Sequence, residues 1–578
     1  MKTQLRRKHP RHSLRIPHVR IVPLGGLEEV GRNMCYLEYI DPRSPSNGDI
    51  IIIDMGLQFP EENMPGIDYI VPNIASLRAK KHKIKGIIIT HAHYDHIGAI
   101  RHLVPELGVN IPVYGTDITI AIIKRLQEDF KNSNHQLNLK EISNDTRLKV
   151  GAFKLEFFGV SHNIPGSVGV VIHTPVGIIV HTGDFKLDTK SDIAGRTEIE
   201  KIKALGSKKV LLLMSDSTNA REVGHQFSEI EIQMELENII KDAKGRLIIG
   251  TFASLLGRLN EIMQIAEKHK KKVAIDGRSM KINVEIARRL GYMKFNSKIV
   301  IPVEEVKDYP PNKIVILGTG AQGEDNAVLM RIVDKRHKYL RIEPGDTVVF
   351  SSSVIPGNER SVQALTDKLY RDGAEVINYR MLDIHAGGHA KQEDLKSLLK
   401  YVKPSYFMPI EGNHSFLKIH AKLAKETGMK DNQILIPDNG QVVVATKDGV
   451  KTTEERLPAN YVMVDGLGVG DVQEIVLRDR QVMAGDGIFV VIVVIDSQTG
   501  KVRGSPDIIS RGFVYLKESK ELLNDTRKRV RKIIEEITRE MHPINFQYIK
   551  ENLRDKIGQS LYQKTQRRPM VLPVIIEV

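Results

Sequence analysis

The feature that most constrains this chain is a six-residue run, His91-Ala92-His93-Tyr94-Asp95-His96, joined through Thr90 to the apolar segment Ile87-Ile88-Ile89 and followed by Ile97-Gly98. A buried strand that ends in such a run must deliver it to the rim of a sheet, at a tight strand-to-helix turn. There His91 and His93, alternating, can converge on one cation while the adjacent Asp95 and His96 reach a second. A solvent-exposed histidine-rich turn would not need the buried strand in front of it. Two later segments extend the set. His162, in Val160-Ser161-His162-Asn163, falls just past a strand, and Asp184, in His181-Thr182-Gly183-Asp184-Phe185, falls at another strand end. Alone, the first would read as a structural histidine and the second as a turn aspartate. Together they suit a site that draws ligands from several strand ends at one rim, with Asp184 placed to bridge two metals.

The single cysteine, Cys35, excludes an internal disulfide framework and a cysteine-based zinc cage. Metal binding falls to histidine and carboxylate, and a reducing compartment, the cytoplasm, is expected. The longest notable apolar run, Ile488–Ile495, is too short to span a bilayer and is expected to be a buried strand, so no membrane partner is expected. A net charge of +14 favours a polyanionic partner, because each neutralised phosphate releases condensed counterions. Residues 1–20 carry Lys2, Arg6, Arg7, Lys8, Arg11, Arg15 and Arg20 without an acidic residue. No apolar stretch of a secretory signal follows, and the segment reads either as a solvated tail or as a phosphate-contacting arm.

At 578 residues the chain exceeds what one core usually supports. Short β-rich runs fill the first two hundred or so residues. From about Glu222 to Asn378 the pattern changes to βαβ units, with helices expected at Glu229–Asp242 and Leu255–His269 between strands at Leu247–Thr251, Lys272–Asp276, Lys313–Gly318 and Thr347–Ser351. A helix at Lys391–Tyr401 and a strand at Ser405–Ile410 then lead to another motif-bearing loop, so the first domain is expected to resume after an insertion. The expected divisions are a basic extension 1–18, a first domain 19–221, an inserted domain 222–378, the rest of the first domain 379–446, a linker 447–459 and a C-terminal α/β domain 460–578.

The run from HAHYDH through SHNIP to HTGDFKLD resembles the metallo-β-lactamase fold, an αββα sandwich. A likeness to ribonuclease J, of the β-CASP nuclease group, extends from about Val19 over nearly the whole chain, through PLGGLEEVGRNM, SDSTNA, TFAS, AIDGRSM, ILGTGAQGE, SSSVIPGNE, HAGGHAKQEDLK and PDIISRGFVY. That resemblance implies a metallo-β-lactamase domain interrupted by a Rossmann-like β-CASP domain, with a small α/β domain at the C-terminus. It implies a metal-dependent ribonuclease with 5′→3′ exonuclease and endonuclease activity in rRNA processing and mRNA decay. Two Zn²⁺ per subunit would be held by His91, His93, Asp95, His96, His162 and Asp184, with Mn²⁺ or Mg²⁺ as alternatives. Single-stranded RNA is the implied partner, and a homodimer or homotetramer the implied assembly.

The same resemblance implies further roles. Asp54 would support the ligand loop from behind, and His389 would donate a proton to the leaving oxygen, oriented by Asp216. Ser351, Ser352 and Ser353, with the backbone of His385, Ala386, Gly387, Gly388 and His389, would hold a 5′-monophosphate. One position departs from the family. Where its last metal-ligating histidine stands in Pro-x-His-Gly-Glu, this chain has Pro409-Ile410-Glu411-Gly412-Asn413-His414. Glu411 is the expected ligand because it keeps the place at the strand end, and His414 is the alternative. A site with Glu411 would be harder and richer in oxygen, which favours Mn²⁺ or Mg²⁺ more than a histidine version does.

Overall fold

Strand Val210–Asp216 runs parallel to strand Tyr406–Ile410, with Asp216 opposite Ile410, although almost two hundred residues of chain lie between them. The chain therefore leaves a sheet at one rim, builds a separate structure and returns to the neighbouring position. These features belong to a computed structural model, which describes residues 16–578 apart from 42, 44–47, 62, 130–135, 189–197, 227, 325, 353, 355–357, 379–386, 467, 471–473, 515–518, 540 and 542. The basic stretch 1–15 and, among the expected phosphate-binding residues, Ser353, His385 and Ala386 lie outside the described residues.

The sheet containing that pair has six strands, in the order Tyr406–Ile410, Val210–Asp216, Gly177–His181, Val168–Thr174, Phe153–Gly159 and Arg147–Val150. An eight-stranded sheet packs against it, ordered Gly449–Arg456, Gln441–Thr446, His18–Gly25, Met34–Ile40, Ile50–Ile53, Ile84–Ile88, Pro112–Thr116 and Asn138–Ile142. Ile21, Leu37, Ile51 and Ile53 from the larger sheet meet Leu155, Val170, Ile172 and Met214 from the smaller in one core. The outer face of the smaller sheet carries helices Ile199–Leu205, Gln392–Val402 and His414–Glu426, through Ile202, Leu398, Phe407 and Leu423. A strand covered on both faces can be apolar throughout. Ile50–Ile53 is such a strand, with all four side chains buried. Each contributes roughly 1.5–3 kcal/mol by leaving water, so this stretch fixes the rim that follows it.

The inserted domain is a six-stranded parallel sheet, ordered Val300–Ile301, Lys272–Ile275, Ile314–Gly318, Leu247–Gly250, Thr347–Phe350 and Glu375–Asn378. Its helices include Glu229–Asp242, which a full capping box at Ser228 and Glu231 starts, and Leu256–Lys268. The carboxyl ends of its central strands, at Gly250, Gly318 and Phe350, are where an open parallel sheet offers a crest to ligands.

By contact the described chain forms two units, one of residues up to Gln58 with Val71–Tyr461, the other of Phe59–Ile70 with Val462–Val578. In the second unit, strands Val502–Arg511, Ile488–Ile495 and Met570–Glu577 lie side by side. Helices Lys520–Thr538 and Phe546–Thr565 cover one face, through Val530, Ile534, Leu553 and Ile557. The expectation of a buried strand at Ile488–Ile495 is corrected here. Phe489, Val491, Val493 and Ile495 face the helices, but alternate residues from Ile488 to Val494 are only half-buried, because helices cover a single side. No helix among the described residues is long and apolar enough to cross a membrane.

Candidate active site

Strand Ile84–Ile88 carries the chain to the rim, and Asp54, one residue past the neighbouring strand Ile50–Ile53, fastens the turn that follows. Asp54 adopts a left-handed backbone conformation (φ 57°). Its carboxylate accepts hydrogen bonds from the Thr90 amide and hydroxyl, both at 2.8 Å, and pairs with His96 Nδ1 at 2.8 Å. With Nδ1 engaged, His96 presents Nε2 to the rim. His162 is oriented in the same manner, its Nδ1 donating to the Gly388 carbonyl at 2.7 Å, which leaves the Nε2 lone pair free to act as a ligand.

Those nitrogens and carboxylates crowd together. His93 Nδ1 lies 3.1 Å from His91 Nε2 and 3.0 Å from His162 Nε2. Asp184 faces this group and its neighbour with different oxygens: Oδ2 is 3.6 Å from both His91 Nε2 and His162 Nε2, whereas Oδ1 is 3.4 Å from His96 Nε2. Asp95 Oδ2 is 3.5 Å from His96 Nε2. His91, His93, His162 and Asp184 can thus hold one ion, and Asp95, His96 and Asp184 another, each set having ligand atoms within 4.8 Å of one another.

Of the two residues expected for the last position, Glu411 is the one buried at the rim. It caps strand Tyr406–Ile410 in a left-handed conformation (φ 57°), is 6% exposed, and groups with Asp54 and His96. His414 instead begins helix His414–Glu426 at the surface and pairs with Glu28 at 2.7 Å.

Electrostatics separate the two histidine groups. Burial removes protons from His91 and His162, whose pKa values fall well below the ordinary value, and brings His93 to about 4, so all three offer lone pairs. Burial also opposes a charge on His96, but Asp184, Asp95 and Asp54 outweigh it and push the pKa up. Glu411, buried beside Asp184, is held well above the carboxylate range. Glu411 Oε2 and Asp184 Oδ1 are buried and accept no hydrogen bond. Buried carboxylate oxygens without partners are costly unless a cation meets them, and the donor set of imidazole and carboxylate suits divalent metals. The residues present therefore fit the metals that the sequence implies.

His389 stands beside this cluster with Nδ1 at 2.8 Å from Asp216 Oδ2 and 3.8 Å from Asp184 Oδ2. Burial disfavours its charged form, yet the two carboxylates raise its pKa to about 9. Gly387 and His389 are tied down by Gln226, whose amide donates to both carbonyls at 2.9 and 3.0 Å. Ser351 and Ser352 follow strand Thr347–Phe350 at the crest of the parallel sheet and are buried with their hydroxyls engaged. Arg258 Nη1 donates to Ser351 Oγ at 3.1 Å and Gln322 Nε2 to Ser352 Oγ at 3.5 Å.

Sequence reasoning missed what joins crest to rim. Lys186, two residues after Asp184 and wholly buried, pairs with Glu229, and Glu229 pairs with Arg258 at 3.2 Å. Arg258 also holds Glu261 at 3.2 Å and reaches Ser351. Asp188 completes the link by accepting from Ser228 Oγ and the Glu229 amide. Asn33, whose side chain touches His96 and Asp95, was also missed. Its only sequence signal was membership in the GRNM segment.

A sandwich of two sheets with such a rim, split by a parallel-sheet domain, defines a metallo-β-lactamase-type hydrolase with a β-CASP insertion. Comparisons agree segment by segment. Residues 65–225 match the beta-lactamase superfamily domain and 244–369 the beta-CASP domain of ribonuclease J. Residues 375–437 match the Zn-dependent metallo-hydrolase RNA specificity domain and 475–578 the ribonuclease J C-terminal domain. Ribonuclease J2 of Bacillus subtilis (strain 168) is 38% identical over 97% of this chain and 99% of its own length. Ribonuclease J 2 of Staphylococcus saprophyticus is 37% identical over 97% and 98%. A crystal structure of a protein of unknown function from Enterococcus faecalis V583 has a TM-score of 0.52 at 16% identity, over 74% of this chain and 100% of that one, a likeness of fold alone. The chain belongs to the ribonuclease J family, and with it to the metal-dependent ribonucleases.

Proposed function

We propose that this ribonuclease cuts RNA with two divalent ions held at the rim, one by His91, His93, His162 and Asp184, the other by Asp95, His96, Asp184 and Glu411. The observation that carries the reading is Asp184, whose two oxygens face two separate ligand groups. When bound, two such ions supply an acidified water and a clamp on the phosphoryl oxygens in an in-line displacement.

The chain's own residues provide the rest. Asp54 and the Gly388 carbonyl orient His96 and His162, so neither imidazole has to reorganise. Asp216 keeps His389 protonated through neutral pH, and with Nδ1 engaged its transferable proton sits on Nε2, ready for the departing ribose 3′-oxygen. A 5′-monophosphate is the ligand expected at Ser351, Ser352 and the backbone of Gly387 and Gly388, with Ser353, His385 and Ala386, which lie outside the described residues, expected to join them. A 5′ end fixed at a set distance from the rim allows 5′→3′ release of nucleotides, and RNA threaded between the domains allows internal cuts. The setting is cytoplasmic RNA processing and decay, by a homodimer or homotetramer.

Digestion of matched 5′-monophosphorylated, 5′-triphosphorylated and DNA substrates with added Zn²⁺ or Mn²⁺ tests this. RNA should be cut, with the monophosphorylated end consumed fastest, because a pocket of fixed donor count penalises extra phosphates. Binding of RNA without cutting would mark a catalytically weakened scaffold, and faster cutting of DNA a nuclease of different substrate.

A further inference from the structure

The side chain of Asn33 sits against the second ligand group with one end unexplained. Its Nδ2 is 2.9 Å from His96 Nε2 and 3.4 Å from Asp95 Oδ2, whereas its Oδ1 is buried and accepts no hydrogen bond. The residue is 6% exposed, and its backbone is fastened on both sides to the surrounding loops. Its amide donates to the Asp95 carbonyl at 3.0 Å and its carbonyl accepts from the Gly56 amide at 2.9 Å. The preceding Arg32 is buried on Glu29 at 2.8 Å, and its amide donates to the Leu57 carbonyl. Gly26 clears the space in front of the side chain: a Cβ there would stand 2.4 Å from Asn33 Oδ1. So much local structure spent on placing one neutral amide calls for a chemical reason.

His96 supplies it. Nδ1 is engaged by Asp54, so Nε2, 2.9 Å from Asn33 Nδ2, is the nitrogen whose lone pair a cation would use once the ring is neutral. A cation on Nε2 takes that lone pair and leaves the amide N–H facing positive charge. Half a turn about the final side-chain bond exchanges nitrogen for oxygen without disturbing any backbone contact, and the two amide orientations are nearly equal in shape. The oxygen then lies where the nitrogen lies now, beside His96 Nε2 and Asp95 Oδ2.

We propose that Asn33 is a ligand of the second ion, supplying its side-chain carbonyl oxygen beside His96, Asp95, Asp184 and Glu411. This rests on the two-ion reading above and sharpens it. With Glu411 in the histidine's place, the second position has one nitrogen and four residues that donate oxygen, one of them uncharged. Carboxylate and carbonyl sets favour Mn²⁺ or Mg²⁺, whereas the three-histidine position keeps its preference for Zn²⁺. The two positions in this chain should therefore differ in the metal they select.

Calorimetric titration of the chelated full-length protein with Mn²⁺ and, separately, Zn²⁺ tests the proposal without reference to turnover. The wild type should bind two ions. Asn33→Ala should lose about tenfold or more in affinity for Mn²⁺ at one position and keep Zn²⁺ at the other, which also reports an intact fold. Asn33→Asp, nearly isosteric, should hold Mn²⁺ as well as the wild type or better, because it keeps the oxygen. Unchanged affinities in Asn33→Ala would overturn the assignment. So would equal weakening in Asn33→Asp, the result expected of a residue that only donates a hydrogen bond. Should the wild type bind fewer than two ions, the two-ion reading itself fails; two ions in the wild type with silent variants removes only the role of Asn33.

Discussion

The metallo-β-lactamase rim and the inserted-domain crest both bury charged side chains, and they do so in opposite ways. At the rim, Asp184 Oδ1, Glu411 Oε2 and Asn33 Oδ1 are buried with no hydrogen-bond partner. Towards the crest, Lys186, Glu229, Arg258 and Glu261 alternate in sign and close on one another. The second cluster neutralises itself, so it can act as structure, joining the loop after Asp184 to Ser351. The first pairs its histidines with aspartates yet keeps oxygens without a donor, an arrangement that a bound cation would complete. Buried groups that lack partners therefore mark the place of chemistry here, while buried groups that satisfy each other mark the scaffold.

The largest effect that would break this contrast is at the rim. His93→Ala should reduce RNA hydrolysis by more than the roughly 100-fold typical of losing an outer-shell partner, and the metal-free variant should unfold at a denaturant concentration close to that of the wild type. Near-normal turnover at saturating metal would remove His93 from the site. Arg258→Met should act the other way round. It takes the guanidinium from buried Glu261 and one of the two cations from Glu229, and breaking a buried ion network costs about 3–5 kcal/mol, readable as a lower denaturation midpoint whether or not metal is present. Loss of hydrolysis at unchanged stability would make Arg258 part of the chemistry instead.

How much of this was legible follows from distance along the chain. The candidate ligands His91 to His96 sit within six residues, so the turn declared itself, and the expectation of Glu411 over His414 came from a strand end, which fixes the direction of the next side chain. Asn33 reaches His96 across 63 positions, and no local pattern marks that approach. Arg258 and Glu261 lie in an amphipathic helix, Leu256–Lys268, where charged residues usually face solvent; the buried Arg258 meets Glu229 and Ser351, 29 and 93 positions away. The apolar run Ile488–Ile495 suggested a strand covered on both sides, since nothing in the run itself reveals that helices pack on one face alone. Helix Phe546–Thr565 escaped notice although Ile549, Leu553, Ile557 and Leu561 recur every four residues on its buried side.

A smaller effect sharpens the contrast through pH. His389→Ala should lower turnover about 100-fold, in the range for a lost general acid, and Asp216→Asn by less. Asp216 and Asp184 raise the pKa of His389 against burial to about 9, so the acid form persists above neutrality. In Asp216→Asn the alkaline limb of kcat/KM should move to lower pH. An unmoved limb would assign the proton to another group.

The smallest effect concerns the stability of the metal-free protein. Burial and Asp184 raise the pKa of Glu411 above its unfolded value, so its neutral form favours the fold. That contribution is fully present below the unfolded carboxylate pKa and fades as pH rises towards the folded one. Glu411→Gln should therefore stabilise the metal-free protein by about 1 kcal/mol at neutral pH and flatten this part of the pH dependence, while weakening the second ion. A destabilised Glu411→Gln would place Glu411 among the satisfied groups.

The most direct test of the account is to strip the full-length protein of metal and return Mn²⁺ or Zn²⁺ stepwise, measuring bound ions per chain and hydrolysis of 5′-monophosphorylated RNA in the same samples. Hydrolysis should be absent without metal and should rise as the second ion binds. Cutting that persists in the stripped protein, or that saturates with the first ion, would contradict a two-ion rim.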